Sequence, residues 1–372
     1  MSHSPVVVVC LTVILQGCVA PPTSRMKSPG SENATPPGQT GKAVKVARTQ
    51  APQDSSVTAD ALAALKAAMR YAHNPVVRAE AVEALEASKR PEAYPWIRSA
   101  LLDEHAGVRF AACAAIGTLQ DTGGEAGVRK CVNDVDPSVQ VAALFALHRL
   151  GHADDSGKIP VLLLEHESRT VRRNAALLLG RLEAPSGVKV LARAMKDSDA
   201  GVRHHALEAM ARLGNAEARQ ELVFMTNSGV GSEEVFAINA LAELRSPVYE
   251  DTFRYKLDTA LHLETRLAAA RGLGLLGIDA GFRAATDGLR AVRPSATDSK
   301  DPPEGQLLRI HQLAAAALGA IGRKEALPAL LTVLKDSGDP RLQVSAAKAI
   351  LEIGHDSKAP ASSFPSGRTP QP

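Results

Sequence analysis

Residues 326–354 read ALPALLTVLKDSGDPRLQVSAAKAILEIG. Ala326, Leu327, Leu330, Leu331 and Leu334 recur at the spacing that places side chains on one face of a helix. Pro328 falls in the first turn, where its missing N–H is harmless. Residues 336–340 form a polar break, and a second apolar stripe follows at Leu342, Ala346, Ala349, Ile350 and Ile353. Gly354 stands just past it as a stop. The stretch predicts a helix, a tight turn, a second helix and an end.

The same frame recurs along the chain. A Val-Arg pair or a variant, then an Ala-rich run ending in Leu-Gly or a variant, begins at Val77, Val108, Val139, Val171 and Val202. Weaker copies begin at Val235, Thr265, Ile310 and Leu342. Successive starts lie 31, 31, 32, 31, 33, 30, 45 and 32 residues apart. A period of this size means stacked helical hairpins, each burying its apolar stripe only against its neighbours. The expected fold class is all-α: an α-solenoid of about nine hairpins over residues 57–355. Stacked at helix-packing distances, they predict a rod or arc on the order of 80 Å long. The Leu-Gly pairs read as helix stops. Asp103, Asp134, Asp136, Asp197, Asp199 and Asp336 precede second helices, where the donor-rich helix N-terminus favours a carboxylate.

These residues resemble HEAT-like repeats of the short kind found in phycobilisome lyases. The pattern is Asp, a gap, Val-Arg, then Ala-Ala and Leu-Gly. It stands as Asp103, Val108-Arg109, Ala111-Ala112 and Ile116-Gly117, and again as Asp197, Val202-Arg203, Ala206 and Leu213-Gly214. The resemblance covers about 300 of the 372 residues. It implies an Asp–Arg ladder between repeats through Arg78, Arg109, Arg172, Arg203 and Arg266, broken where Gln140, Phe236 and Gln343 replace the arginine. Related di-iron hydroxylases carry His-Glu pairs in several second helices. Here the residues aligned with His204-His205 are Phe110-Ala111, Arg173-Asn174 and Leu267-Ala268, so that enzyme reading fails position by position.

The ends differ in composition. Residues 6–15 are an apolar core too short to span a bilayer as a mature helix. Leu15-Gln16-Gly17-Cys18 follows and resembles a bacterial lipobox. This implies a signal peptide over residues 1–17 and lipid attachment at Cys18, with the outer membrane, facing the periplasm, as the expected location. Residues 18–56 read as a disordered Pro-rich tether and residues 356–372 as a disordered tail. Residues 293–306 hold Pro294, Pro302, Pro303 and Gly305 and read as a loop inserted within the eighth hairpin.

Cys113 and Cys131 lie nine residues either side of Thr122, in a predicted interhelical turn. A disulfide and two separate buried thiols are both compatible with that placement. The formal charge of +3 over 372 residues gives no global case for nucleic acid. Cations gather on the central second helices, with Arg149, Arg172, Arg173, Arg181, His204, His205 and Arg212 as a candidate binding groove on the concave face. Adjacent helical residues point about 100° apart, so His204 and His205 do not chelate one ion together. No phosphate loop, nucleophile elbow or Cys-His metal spacing stands out, and no metal, cofactor or catalytic residue is assigned. The sequence supports a non-catalytic, membrane-tethered scaffold that binds a protein or peptide. The alternative is an enzyme or enzyme accessory resembling phycobilin lyases.

Overall fold

The computed structural model describes residues 54–152, 156–292 and 303–354. Among them are nine helical hairpins. First helices are α1 (Asp54–Ala68), α3 (Tyr94–Ser99), α5 (Glu125–Cys131), α7 (Lys158–Glu165), α9 (Val188–Ala194), α11 (Ala216–Met225), α13 (Glu250–Thr259), α15 (Phe282–Leu289) and α17 (Leu327–Asp336). Second helices are α2 (Pro75–Ser88), α4 (Ala106–Leu119), α6 (Pro137–Arg149), α8 (Arg169–Arg181), α10 (Ala200–Arg212), α12 (Gly231–Glu243), α14 (Leu263–Leu275), α16 (Pro303–Ile321) and α18 (Pro340–Ile353). The all-α solenoid expected from the repeat is the observed architecture. The signal, Cys18 and nearly all of the tether lie outside the described residues, as does the tail.

Local chemistry explains where the second helices start. Proline occupies the first position of α2, α6 and α18, where φ is already helical and no N–H is missed. Asn74, Asp136, Asp199 and Asp339 each accept a hydrogen bond from a backbone N–H of the first turn. Asp103, Asp134 and Asp197 instead accept from the amide two residues ahead, fixing the interhelical turn. Pro303–Gln306, read from sequence as loop, form the first turn of α16. Proline at a helix start is compatible with either reading.

The second helices pack side by side as an inner layer, less closely between α10 and α12 than elsewhere, and the first helices lie outside them. Small residues set the spacing. A Cβ on Gly117 would lie 2.7 Å from Cα of Ala146, and one on Gly274 would lie 2.7 Å from the backbone N of Ile321. These glycines sit inside α4 and α14, so they are not the stops that the Leu-Gly pairs suggested. The α4 stop comes later, at Gln120, which carries the left-handed φ of 52°. Gly117→Val is therefore expected to destabilise by about 1–3 kcal/mol through overpacking. Thermal melting checks this; an unchanged midpoint would contradict the close α4–α6 approach.

Inner helices pack closely while outer helices of successive hairpins touch little, so the stack curves. The stack consequently does not run out as an open rod. α18 packs against both α16 and α2, and α1 lies across α18. Val57, Ala61 and Leu65 of α1 are buried, and Lys335 of α17 reaches Asp60 at 3.3 Å. Nine hairpins thus share one closed turn. Each apolar end of the solenoid caps the other, which removes the need for terminal caps.

The ring is not evenly filled. Residues 110–117, 141–147 and 173–180 of α4, α6 and α8 are buried on every side, so these helices present no open concave face. Across from them, α2, α16 and α18 each keep a partly exposed stripe at helical spacing: Glu80 and Glu83; Gln312 and Ala316; Ser345, Lys348 and Glu352.

Candidate functional site

The Asp–Arg ladder has three inter-repeat rungs among the described residues. Arg78 donates to Asp103 from Nε and one terminal nitrogen, both at 2.8 Å. Arg109 meets Asp134 at 2.7 Å through both, and Arg172 meets Asp197 at 2.8 and 3.0 Å. In each rung the carboxylate lies 25 residues ahead of the arginine. The other terminal nitrogen of Arg109 and Arg172 binds two carbonyls of its own turn. Arg203 makes only that local pair of bonds, and Nε of Arg266 has no hydrogen-bond partner. The residues 25 ahead of them are Ser228 and Ala291. Gln140 and Gln343 keep one local carbonyl bond each and make no inter-repeat rung.

The seven cations expected to line a groove do not form one open basic surface. Arg172 is held by the ladder. Arg173 is buried, and loss of hydration lowers its pKa. His204 stacks on Phe236 with ring centroids 4.5 Å apart, and burial lowers its pKa as well. His205 is buried with Nδ1 3.6 Å from Glu208 Oε2. Arg212 donates to Glu208 Oε1 at 2.8 Å. Arg149 lends its carbonyl to Gln120, while its Nε is buried. The charge of Arg181 is felt by the Glu83 carboxyl. The sequence reading missed the acids that face these bases.

Those acids continue around the interior. Burial opposes ionisation of Glu208, yet the facing His205 ring and the Arg212 charge prevail and bring its carboxyl to about 2. Glu243 pairs with Arg271 and feels Glu208 and Arg212. Arg271 also donates to Asn239 at 3.3 Å and senses Glu352. The interior is thus an alternating set of charges.

At the ring closure this set surrounds open space. A cavity of about 60 Å³ is lined by Glu80, Glu83, Gln312, Ser345, Lys348 and Glu352, with Ala84, Ala316, Val344 and Ala349 between them. Burial pushes the Glu80 carboxyl up to about 7 and the Glu83 carboxyl up to about 8. Glu80 Oε2 is buried without a hydrogen-bond partner. Arg341, whose charge reaches Glu80, is committed to Asp339 at 2.7 and 3.1 Å.

The sign of the pH effect follows. An acid whose pKa is raised on folding destabilises as pH rises from its unfolded value through its folded one. Glu83→Gln is therefore expected to raise the melting temperature at pH 9 and leave it nearly unchanged at pH 4. An equal shift at both pH values would show that Glu83 does not carry the titration. Glu208 acts oppositely: its contribution is present above the ordinary glutamate range and fades as pH falls toward about 2.

Cys113 of α4 and Cys131 of α5 are both buried and free. Interaction with Cys131 raises the Cys113 pKa, with burial adding to it, and interaction with Cys113 lowers that of Cys131. Among the described residues no group of three or more His, Cys, Asp or Glu is arranged to hold a metal ion. No described helix is long and apolar enough to cross a membrane.

Comparison with known proteins finds partial matches. A HEAT repeat-containing taxis protein of Halobacterium salinarum is 34% identical over 139 residues, which are 37% of this chain and 30% of the relative. The match therefore spans less than a third of that relative's length. The complex of CpcE and CpcF of phycocyanin lyase from Nostoc sp. PCC7120 aligns with 74% of this chain and 100% of its own, at 16% identity and a TM-score of 0.40. Human deoxyhypusine hydroxylase aligns with 82% and 100%, at 19% identity and a TM-score of 0.34. The family description HEAT repeats matches residues 62–127 and 158–234, and PBS lyase HEAT-like repeat matches residues 313–336. The hairpins over residues 62–127, 158–234 and 313–336 are thus similar to HEAT and HEAT-like repeats.

Proposed function

We propose that this chain is a non-catalytic interaction ring, exported and tethered to the cell envelope through Cys18, that binds a protein or peptide. The observation that carries the proposal is a set of exposed apolar side chains on the turns between first and second helices. Leu102, Val135 and Leu261 are 85%, 93% and 80% exposed, and Val230 stands on the equivalent turn of the sixth hairpin. Such turns share one rim of the ring. Scattered apolar side chains need no explanation singly, but a series on one rim is suited to a partner. The concave face expected from sequence is closed by the filled interior, so the rim replaces it as the proposed binding surface.

The test is in-cell crosslinking with mass spectrometry of the membrane fraction. Leu102→Ser, Val135→Ser and Leu261→Ser together are expected to abolish the dominant crosslink. Each site is exposed, so stability should change by only about 0.5 kcal/mol per substitution. Retained crosslinking in the triple variant would refute the rim. Separately, Cys18→Ala is expected to release the protein from membranes, and unchanged retention would refute anchoring through that residue.

A further inference from the structure

We infer that the cavity at the ring closure binds a small alkylammonium ion, held by Glu80, Glu83 and Glu352. Three carboxyl groups face the space and Lys348 is the one cation among its lining residues. Arg341 is not available to balance them, because both of its interacting nitrogens are spent on Asp339. Glu80 Oε2 is fully buried and lacks a donor. Glu83 makes no hydrogen bond or ion pair within reach among the described residues; only the more distant charges of Glu86, Lys348, Arg181 and Glu80 act on it. A buried acceptor left without a donor is unfavourable, and an N–H donor from outside the chain relieves it.

The shape selects among cations. A cavity of about 60 Å³ has room for roughly four waters or a compact organic cation. Ala84, Ala316, Val344 and Ala349 give apolar wall for a few methylene groups. A divalent metal fits less well, because no three ligands converge at coordinating geometry among the described residues. An anion would meet three carboxyls against one ammonium. The lining polar residues are all partly exposed, so solvent and small solutes reach the cavity, and the buried Glu80 Oε2 meets a donor there by rotation of its carboxyl group.

Binding also has a protonic consequence. Glu80 and Glu83 hold protons near neutrality because burial disfavours their charge. A bound ammonium restores the charged form, so it drives protons off and binds more tightly as pH rises from 6 to 8.5. The groups facing these carboxyls are Arg341 and Asp339 at Glu80, and Glu86, Lys348 and Arg181 at Glu83, with Glu352 opposite.

The experiment is calorimetric titration of the purified full chain at pH 7 and 8.5 in two buffers of different ionisation enthalpy. The probes are 1,4-diaminobutane and N-acetyl-lysine methylamide, with tetramethylammonium and magnesium chloride as controls. Either amine binding with proton release supports the inference, and the preferred one distinguishes a free amine from a lysine side chain of a partner. Glu83→Gln and Glu80→Gln should each weaken binding about ten-fold, whereas Glu92→Gln, outside the cavity, should not. Circular dichroism confirms that each variant is folded. The inference is overturned if neither amine binds at millimolar concentration, if tetramethylammonium or magnesium binds equally well, or if Glu83→Gln binds as the parent does.

Discussion

Replacing Leu65 with alanine is expected to cost about 2–5 kcal/mol, the usual range for a fully buried leucine, and to lower the unfolding midpoint of the entire ring. Leu65 is wholly buried on α1, the helix that lies over α18. In an open solenoid, stability is a sum over repeats and their nearest neighbours. An end-repeat substitution then frays that end and leaves the distant repeats near their original midpoint. In a closed ring the first and last repeats are neighbours, so the same substitution weakens an interior interface. Urea unfolding followed at Trp96 in α3, beside the altered repeat, and by far-ultraviolet circular dichroism should give coincident transitions, both displaced to lower urea. An early partial transition, with the remaining helices unfolding at the parental midpoint, would mean that the ends do not join. The surface pair Lys335–Asp60 is half exposed on both sides and should contribute little. The closure rests on the packing of α1 and α2 against α18 rather than on that ion pair.

The hairpins were legible because each carries its own helical period and turn, as in residues 326–354. The closure was not, because it depends on a small curvature accumulated along the stack. That curvature comes from inner-layer contacts such as Gly117 on Ala146. In sequence, Gly117 and Gly214 both follow an aliphatic residue near the end of an Ala-rich run. In the structure Gly117 is an approach point inside a helix, and only Gly214, with φ of 92°, is a stop. The basic groove failed for a related reason. Arginines were counted along the second helices, whereas the acids that neutralise them, such as Asp197 for Arg172 and Glu208 for Arg212, come from the turns and from the same helices. A better signal was available. The residue six places after each repeat start is Glu83, Ala114, Phe145, Leu177, Glu208, Leu241, Arg271, Ala316 and Lys348. At this one position the residues of α4, α6 and α8 are apolar, whereas Glu83, Glu208, Arg271 and Lys348 mark interior charges.

Ring formation also changes where recognition can occur. An open HEAT-like arc offers its second helices to a partner; this chain covers them with one another and leaves the rims and outer wall. Among the described residues the interior keeps a small polar cavity at the place where the first and last repeats meet. The proposed macromolecular partner and the inferred cationic ligand would therefore use different surfaces. Occupancy of the cavity touches α2, α16 and α18 at once, so a bound cation would bridge both sides of the closure.

The ladder gives the second large effect, through a comparison of two arginines that look alike in sequence. Arg78→Ala is expected to destabilise by about 3–5 kcal/mol, because it leaves a largely buried carboxylate without its partner. Arg78 and Asp103 are 6% and 14% exposed, joined by two hydrogen bonds across the first and second repeats. Arg203 occupies the same repeat position, after Val202 as Arg78 follows Val77. It is exposed and serves only carbonyls of its own turn. Arg203→Ala should therefore cost about 1 kcal/mol or less, the net value of ordinary hydrogen bonds. The difference follows from residue 25 ahead: Asp103 for Arg78, Ser228 for Arg203. Urea midpoints of the two variants, measured side by side, decide the matter. Equal losses would mean that the arginine acts through its own turn in every repeat. A Ser228→Asp variant extends the test, since a carboxylate there should make Arg203 behave more like Arg78 and raise the cost of its removal.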